Sequence, residues 1–446
     1  MEYDVVIVGS GPAGLFAADR LAKEDYNVLV IDERRSAGGS GTLTDGKLVY
    51  HPKVTMDLDE LKISEKRARM FMDYIDDKFL EYGADPSVGN GDKASLDKII
   101  ERSSEYNVDF IVGKQRHMGT DNTPKIIRKF KEDLESKGIE FKLGTKVDSI
   151  SKDGNIYVKT DAETIECKYL IMGPGRSGAY WMRDQAEKLD IKHKWGAIDV
   201  GVRVELAAST FDPITDVSYD AKFHYNTLCH GDKVRTFCVN PHGFVTAEPK
   251  QNAIEYRDRS LRPVNGHSFK RKKSDNTNFA ILSTITMTEP YADTTELGRN
   301  MVVSAYRAGG WKPLVQRWGD LKRGSRSKIE TFLDPHRGFD RVIPTMSLDK
   351  ITPGDLNLAY YGRFVDNIKE FIEVLDNIVP GTAHPSTLLY APEVKFYDTK
   401  YATIGSTLET NVENIFVTGD GAGKSRGIVG AGLTGILAAE SIINKK

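Results

Sequence analysis

The chain has 446 residues, 39% of them hydrophobic and 28% charged, with a formal net charge of −2. That length calls for two domains rather than one core, and a charge near zero gives no global field toward nucleic acid or an anionic membrane. No apolar run reaches the roughly 20 residues that span a bilayer, and Cys167, Cys229 and Cys238 lie too far apart for a disulfide framework, a zinc site or a dithiol relay.

The first predicted strand is the apolar run Tyr3 to Val8. It starts almost at Met1, which leaves no room for a signal peptide, and with the sparse cysteines this predicts a cytoplasmic location. Gly9-Ser10-Gly11-Pro12-Ala13-Gly14 then opens a helix carrying Leu15, Ala18, Leu21 and Ala22 on one face, and a second strand, Val28 to Ile31, ends at Asp32. This is G-x-G-x-x-G in a strand–turn–helix–strand setting with an acid about 20 residues on, the fingerprint of dinucleotide binding. Gly9 permits the tight turn, Gly11 lets the backbone approach a pyrophosphate, and Gly14 lets helix pack on strand. Pro12 and Ala13 begin the helix whose free N–H groups and dipole face the phosphates. Asp32 is expected to accept hydrogen bonds from the ribose. Glu33 comes one residue later and is expected to point away, although with Arg34 it stays in the expected cofactor-contact set. Arg35, Gly38, Gly39 and Thr42 fit R-x-x-G-G-x-x-T, which resembles the second glycine motif of many flavoproteins. Asp45-Gly46-Lys47 follows, where Gly46 is expected to bring the backbone close to a flavin ring, so Lys47 and Asp45 are candidate catalytic residues.

Residues 51–107 read as a helical insertion with an apolar stripe of Ala68, Phe71, Met72, Ile75 and Phe79. Thr123 and Pro124 cap a further helix with Ile126, Ile127, Phe130 and Leu134 inward. Strands near Lys146–Ser151, Ile156–Thr160 and Thr164–Cys167 form a meander in which Val147 is expected to border the adenine. Gly173 to Gly178 is formally a second G-x-G-x-x-G; no second strand ending in an acid follows, which favours a backbone crossing beside the cofactor over an NAD(P) site. Residues 191–389 are strand-rich at first (Val200–Leu206, Thr236–Val239, Phe279–Thr286) and then helical (Thr294–Ala308, Val365–Ile378). Within them, His267 and His242 are candidate proton donors because imidazole titrates near neutrality. The basic run from Arg257 to Lys273 reads first as a solvated loop, with docking of an anionic partner as the sharper alternative.

Near the end, Asn414 to Val417 forms a short strand leading into Thr418-Gly419-Asp420-Gly421-Ala422-Gly423, and a helix starts around Gly427 to Gly430. Asp420 suits a ribityl hydroxyl, or alternatively a plain helix cap. The helix start near Gly430 suits the negative charge that reduced flavin carries near N1 and the C2 carbonyl. An NAD-only Rossmann domain needs no such second element, so the expected cofactor is FAD, with NAD(P)H as the candidate electron donor.

With these residues assembled, the chain resembles the FAD-dependent dehydrogenase family, NAD(P)/FAD-dependent oxidoreductases with a glutathione-reductase-like FAD fold and geranylgeranyl reductases as distant relatives. The stretches that carry the resemblance include Gly39 to Leu48, Arg116 to Asp121, Asp199 to Glu205, Phe237 to Val245, Val315 to Asp320 and Gly419 to Gly430. The chain departs from the family where Asn240 and His242 replace a second cysteine and a glycine. The resemblance implies an α/β fold: a Rossmann-type FAD-binding domain assembled from both chain ends (1–50, 108–190 and 390–446), the helical insertion 51–107, and an inserted α+β substrate domain (191–389). The expected FAD contacts are Gly9, Gly11, Pro12, Ala13, Gly14, Asp32, Glu33, Arg34, Gly39, Thr42, Val147, Gly173, Gly419, Asp420 and Gly430, with no metal. The expected activity is that of a dehydrogenase or reductase on a small organic substrate, with hydride passing through flavin N5 and a redox partner as a further expectation. Reduction of a prenyl double bond, an FAD monooxygenase and a non-catalytic flavin-fold binding protein are the alternatives.

Overall fold

The computed structural model describes residues 2–43, 46–88, 91–250, 253–269, 272–285, 287, 293–333, 342–395 and 399–445. The chain divides into two units: Met1–Val88 with Lys114–Gly196 and Tyr397–Lys446, and Gly89–Gly113 with Ala197–Phe396.

The first unit takes its main elements in the order β1 (Glu2–Val8), α1 (Pro12–Leu21), β2 (Val28–Asp32), α2 (Glu65–Glu81), α3 (Thr123–Ser136), β3 (Glu140–Leu143), β4 (Val147–Asp153), β5 (Asn155–Thr160), β6 (Thr164–Met172), α4 (Ala179–Lys188), β7 (Ile415–Val417) and α5 (Gly427–Ile443). Its sheet runs β3-β2-β1-β6-β5-β4, with β7 also beside β6. Strand β6 changes neighbour midway. Thr164 to Cys167 pair antiparallel with β5, whereas Leu170 to Met172 pair parallel with β7. That switch brings the C-terminal strand next to the strand that already flanks β1. Side chains of β1 alternate between two cores, as a strand buried on both faces must: Val5 and Ile7 join α1 and α5, while Val6 and Val8 join the meander.

Helices α1 and α5 pack backbone to backbone. A Cβ on Gly435 would lie 2.0 Å from the Ala13 carbonyl oxygen, and one on Gly432 would lie 2.7 Å from the Phe16 ring. Helix α2 buries the expected stripe, Ala68, Phe71, Met72, Ile75 and Phe79, in the same core. The single insertion expected over 51–107 is therefore divided. Its first part packs with the Rossmann unit, and residues 89–113 belong to the second unit. The cause is the short strand Asp109–Ile111, which places Phe110 opposite Phe223 on the edge of the other sheet.

Among the described residues, the second unit's main sheet has eight strands in the order Thr352–Pro353, Leu314–Arg317, Leu388–Lys395, Ile198–Ala207, Asn276–Ile285, Lys233–Asn240, Lys222–Asn226 and Asp109–Ile111. Val200, Val202 and Val204 turn to a core shared with the helices Thr294–Ala308 and Gly362–Ile378. The alternate residues Asp199, Arg203 and Glu205 are also fully buried, on the opposite face. Among the described residues, no helix is long and apolar enough to cross a membrane.

The fold is thus α/β: a Rossmann-like domain whose N- and C-terminal helices pack together, with an inserted domain.

Candidate cofactor site

The turn after β1 separates its three glycines by what surrounds them. Gly9 holds φ +105°, and a Cβ there would lie 2.2 Å from the Gly173 carbonyl oxygen. A Cβ on Gly14 would lie 1.9 Å from the Gly9 carbonyl oxygen. Both glycines are demanded by the protein's own packing. Gly11 differs, because a Cβ there would meet nothing within 4 Å. It faces open space, and as the N-cap of α1 it offers no side-chain cap. The first-turn amides are left to an outside acceptor.

That space is a groove of about 1190 Å³, counting the part open to solvent, within the first unit. Its walls come from the β1–α1 turn (Gly9, Gly11, Pro12, Ala13), the end of β2 (Asp32, Glu33, Arg34) and Gly39 to Gly41. Thr145 to Val147, Gly173 to Gly178 with Trp181, and the C-terminal residues Gly419, Asp420, Gly427, Ile428 and Ala431 complete them.

The Asp32 carboxylate accepts from the Ser10 amide and hydroxyl, both at 2.7 Å, and from the Arg34 amide at 2.9 Å. These three donors hold it at the mouth of the turn and leave acceptor capacity for a sugar hydroxyl. Asp420 follows Gly419, and its carboxylate accepts from the Ser425 hydroxyl at 2.7 Å and from the Gly427 amide at 3.0 Å. It therefore secures the first turn of α5 while lining the groove. Burial pushes its carboxyl above the usual range, opposed by the Arg176 charge and by the bonds from Gly427 and Ser425. Beside this segment, Glu60 bridges Lys400 at 2.5 Å and Lys424 at 3.2 Å, and burial holds the Lys424 ammonium below its ordinary value.

Of the residues expected from sequence, Gly9, Gly11, Pro12, Ala13, Asp32, Glu33, Arg34, Gly39, Val147, Gly173, Gly419 and Asp420 come together on this groove. Glu33 was expected to point away, yet it lines the wall. Strand alternation stops at Asp32, where the Arg34 amide folds back onto that carboxylate. Gly14 stands behind the wall. Gly430 is not on it either, because a Cβ there would lie 2.3 Å from the Thr55 carbonyl oxygen. A helix turns by about 100° per residue, so Ile428 and Ala431 share a side that Gly430 does not.

Lys47 is half-buried at the start of the strand Lys47–Tyr50, opposite His117, and outside the groove lining. Gly46, expected to admit a close approach to the ring, is instead required by α3, since its Cβ would lie 2.2 Å from Thr123 Oγ1. Asp45 and the Thr42 side chain lie outside the described residues. His267 belongs to the second unit, opposite Phe244 and stacked on Phe269. His242, in the same unit, pairs with Asp212 at 3.2 Å. Sequence reasoning missed Lys146, Arg176, Trp181 and Ile428. The second glycine motif was the available signal for two of them, because a crossing beside the cofactor must also bring the start of α4 there.

A profile of NAD(P)-binding Rossmann-like domains matches residues 7–52. An uncharacterized protein of Clostridium beijerinckii is 25% identical over 494 aligned residues, covering 99% of this chain and 80% of that protein. Protein FixC of Escherichia coli (strain K12) is 27% identical over 205 residues, covering 46% of this chain and 42% of FixC. Among solved structures, L-proline dehydrogenase from P. horikoshii is similar with a TM-score of 0.44 and 12% identity, covering 100% of this chain and 94% of that one. The chain has a Rossmann-type dinucleotide-binding fold.

Proposed function

We propose that the chain is an FAD-dependent oxidoreductase, acting as a dehydrogenase or reductase on a small organic substrate. The observation that carries this is the convergence of the Gly9–Ala13 turn and the Gly419–Ile428 segment on one groove. A nicotinamide site would use the first of these alone.

The residues present fit the dinucleotide. Gly11 leaves the cradle open, and the uncapped start of α1 receives the pyrophosphate with its amides and dipole. Asp32 accepts from the adenosine ribose, and Asp420 accepts from a ribityl hydroxyl. The start of α5 at Gly427 and Ile428 favours negative charge at the flavin end. Bound there, FAD would supply hydride acceptance and donation at its N5, with NAD(P)H our candidate for the donor. Lys47 and Asp45 remain our candidates for the proton-holding groups.

Purified protein is expected to show flavin absorbance and, on acid treatment, to release intact FAD that comigrates with a standard. Colourless protein that cannot be reconstituted with FAD would sink the proposal.

A further inference from the structure

We infer that Trp181 is the wall on which the adenine of the bound dinucleotide stacks, so that the adenosine half of the cofactor is recognised in its own right. The inference rests on the FAD reading above and assigns a residue that the glycine fingerprint does not contain.

Trp181 lies in the first turn of α4 and lines the groove with Thr145, Lys146 and Val147. These residues mark the ribose end, because the Thr145 amide donates to the Asp32 carbonyl at 3.0 Å. The loop before β4 is thereby tied to the acid that meets the sugar. The indole itself is fixed. Its Nε1–H donates to the Asp148 carbonyl at 3.3 Å, and the ring packs against the core that holds Val147, Ile150 and Met182. Trp181 is nevertheless half-buried and on the groove wall. An indole held by its edge and backed by a core presents a rigid π-surface that loses little entropy on binding.

Such a surface suits a purine. Base–aromatic stacking depends on the π-face rather than on a hydrogen-bond pattern, and alanine substitution of a stacking residue weakens binding by about ten- to a hundredfold. The neighbours Thr145, Lys146 and Val147 need not change for this loss to appear. A tryptophan that merely completed the core would affect stability without distinguishing one flavin from another.

The test uses full-length protein stripped of flavin and titrated separately with FAD and with FMN, which lacks the adenosine. Trp181→Ala is expected to weaken FAD about ten- to a hundredfold and to leave FMN unchanged, while Trp181→Phe recovers most of the FAD affinity. In parallel, ADP is expected to quench the fluorescence of wild-type apo-protein and to lose that effect in Trp181→Phe, a readout that survives if the alanine variant fails to fold. Equal losses for FAD and FMN, or ADP quenching that persists in Trp181→Phe, overturn the inference. A wild-type chain that binds FAD with an affinity indifferent to Trp181 overturns the inference alone. A chain that binds neither flavin overturns the cofactor proposal and this inference with it.

Discussion

The two units differ in what surrounds their tightest contacts. In the first, the groove is walled by close-packed backbone: carbonyls of Gly9, Ala13 and Gly173 sit where a Cβ on a facing glycine would strike them, and the buried Asp76–Arg116 pair stands outside the groove lining. In the second, the close contacts are between charges on a sheet. Arg203, fully buried, donates to Glu393 at 2.8 and 3.1 Å, to the Cys238 carbonyl at 3.0 Å and to Asn265 at 3.3 Å. Lys395 joins the same carboxylate at 3.0 Å and Glu248 at 2.5 Å, and Arg235 closes on Asp199. The second unit satisfies its charges internally, while the first leaves helix-start amides facing open space. The contrast teaches where to look for a ligand: beside the unsatisfied backbone, rather than where charges are most concentrated.

The strongest way to break this comparison is to remove one charge from the closed network. Glu393→Gln leaves the Arg203 guanidinium buried without its counter-ion, and breaking such a pair costs about 3–5 kcal/mol. The urea midpoint of the variant should fall accordingly. Replacing both partners with apolar residues, Arg203→Met with Glu393→Leu, should recover much of the loss, because the desolvation penalty goes with the charges. A single variant as stable as wild type would mean that the network is not closed in the way described.

The counterpart in the first unit is Gly435→Ala. Its new Cβ would lie 2.0 Å from the Ala13 carbonyl oxygen, so α1 and α5 must separate. Overpacking of this kind costs about 1–3 kcal/mol. Because Ala13 also lines the groove, the cofactor should be held more weakly in the same variant. Denaturation and flavin retention measured together check this, and a loss of stability with unchanged retention would uncouple the helix contact from the groove.

The same contrast explains how much the sequence disclosed. Glycines forced by backbone contact leave a spacing that can be read, which is why Gly9 and Gly14 stood out without coordinates. The bounds of Thr294–Ala308 and the positions of the strands, though not their lengths, were legible for a similar local reason, a periodicity held over many residues. The buried charges were not legible. Asp199, Arg203 and Glu205 alternate with Val200, Val202 and Val204, the pattern of a strand with one wet face, yet both faces are covered. Only long-range partners such as Glu393 distinguish the two cases. The division of 51–107 was hidden too, because a strand of three residues, Asp109–Ile111, carries no periodicity. Gly430 was misjudged by a rotation about the helix axis, which the glycine pattern does not encode.

The smallest expected effect concerns Asp420, a carboxylate of the groove. Its carboxyl is raised above the ordinary value because burial disfavours the charged form. A group raised in this way contributes stability that is fully present below its unfolded value, about 3.9 for Asp, and is lost as pH rises through the folded value. At neutral pH the wild-type apo-protein therefore carries a penalty that Asp420→Asn removes. The amide can still accept from the Gly427 amide through its oxygen, and the Ser425 hydroxyl can turn to accept from its nitrogen, so both ties to α5 survive. The variant's apo-protein is expected to melt slightly higher than wild type at neutral pH, with the gain shrinking as pH falls toward about 4, where both side chains are uncharged. Flavin affinity should move the other way, since a charge-assisted bond to a ribityl hydroxyl becomes a neutral one. Thermal melts of both apo-proteins across that pH range separate the possibilities. A difference that does not vary with pH would mean that geometry at Ser425 and Gly427, rather than the buried charge, governs this turn.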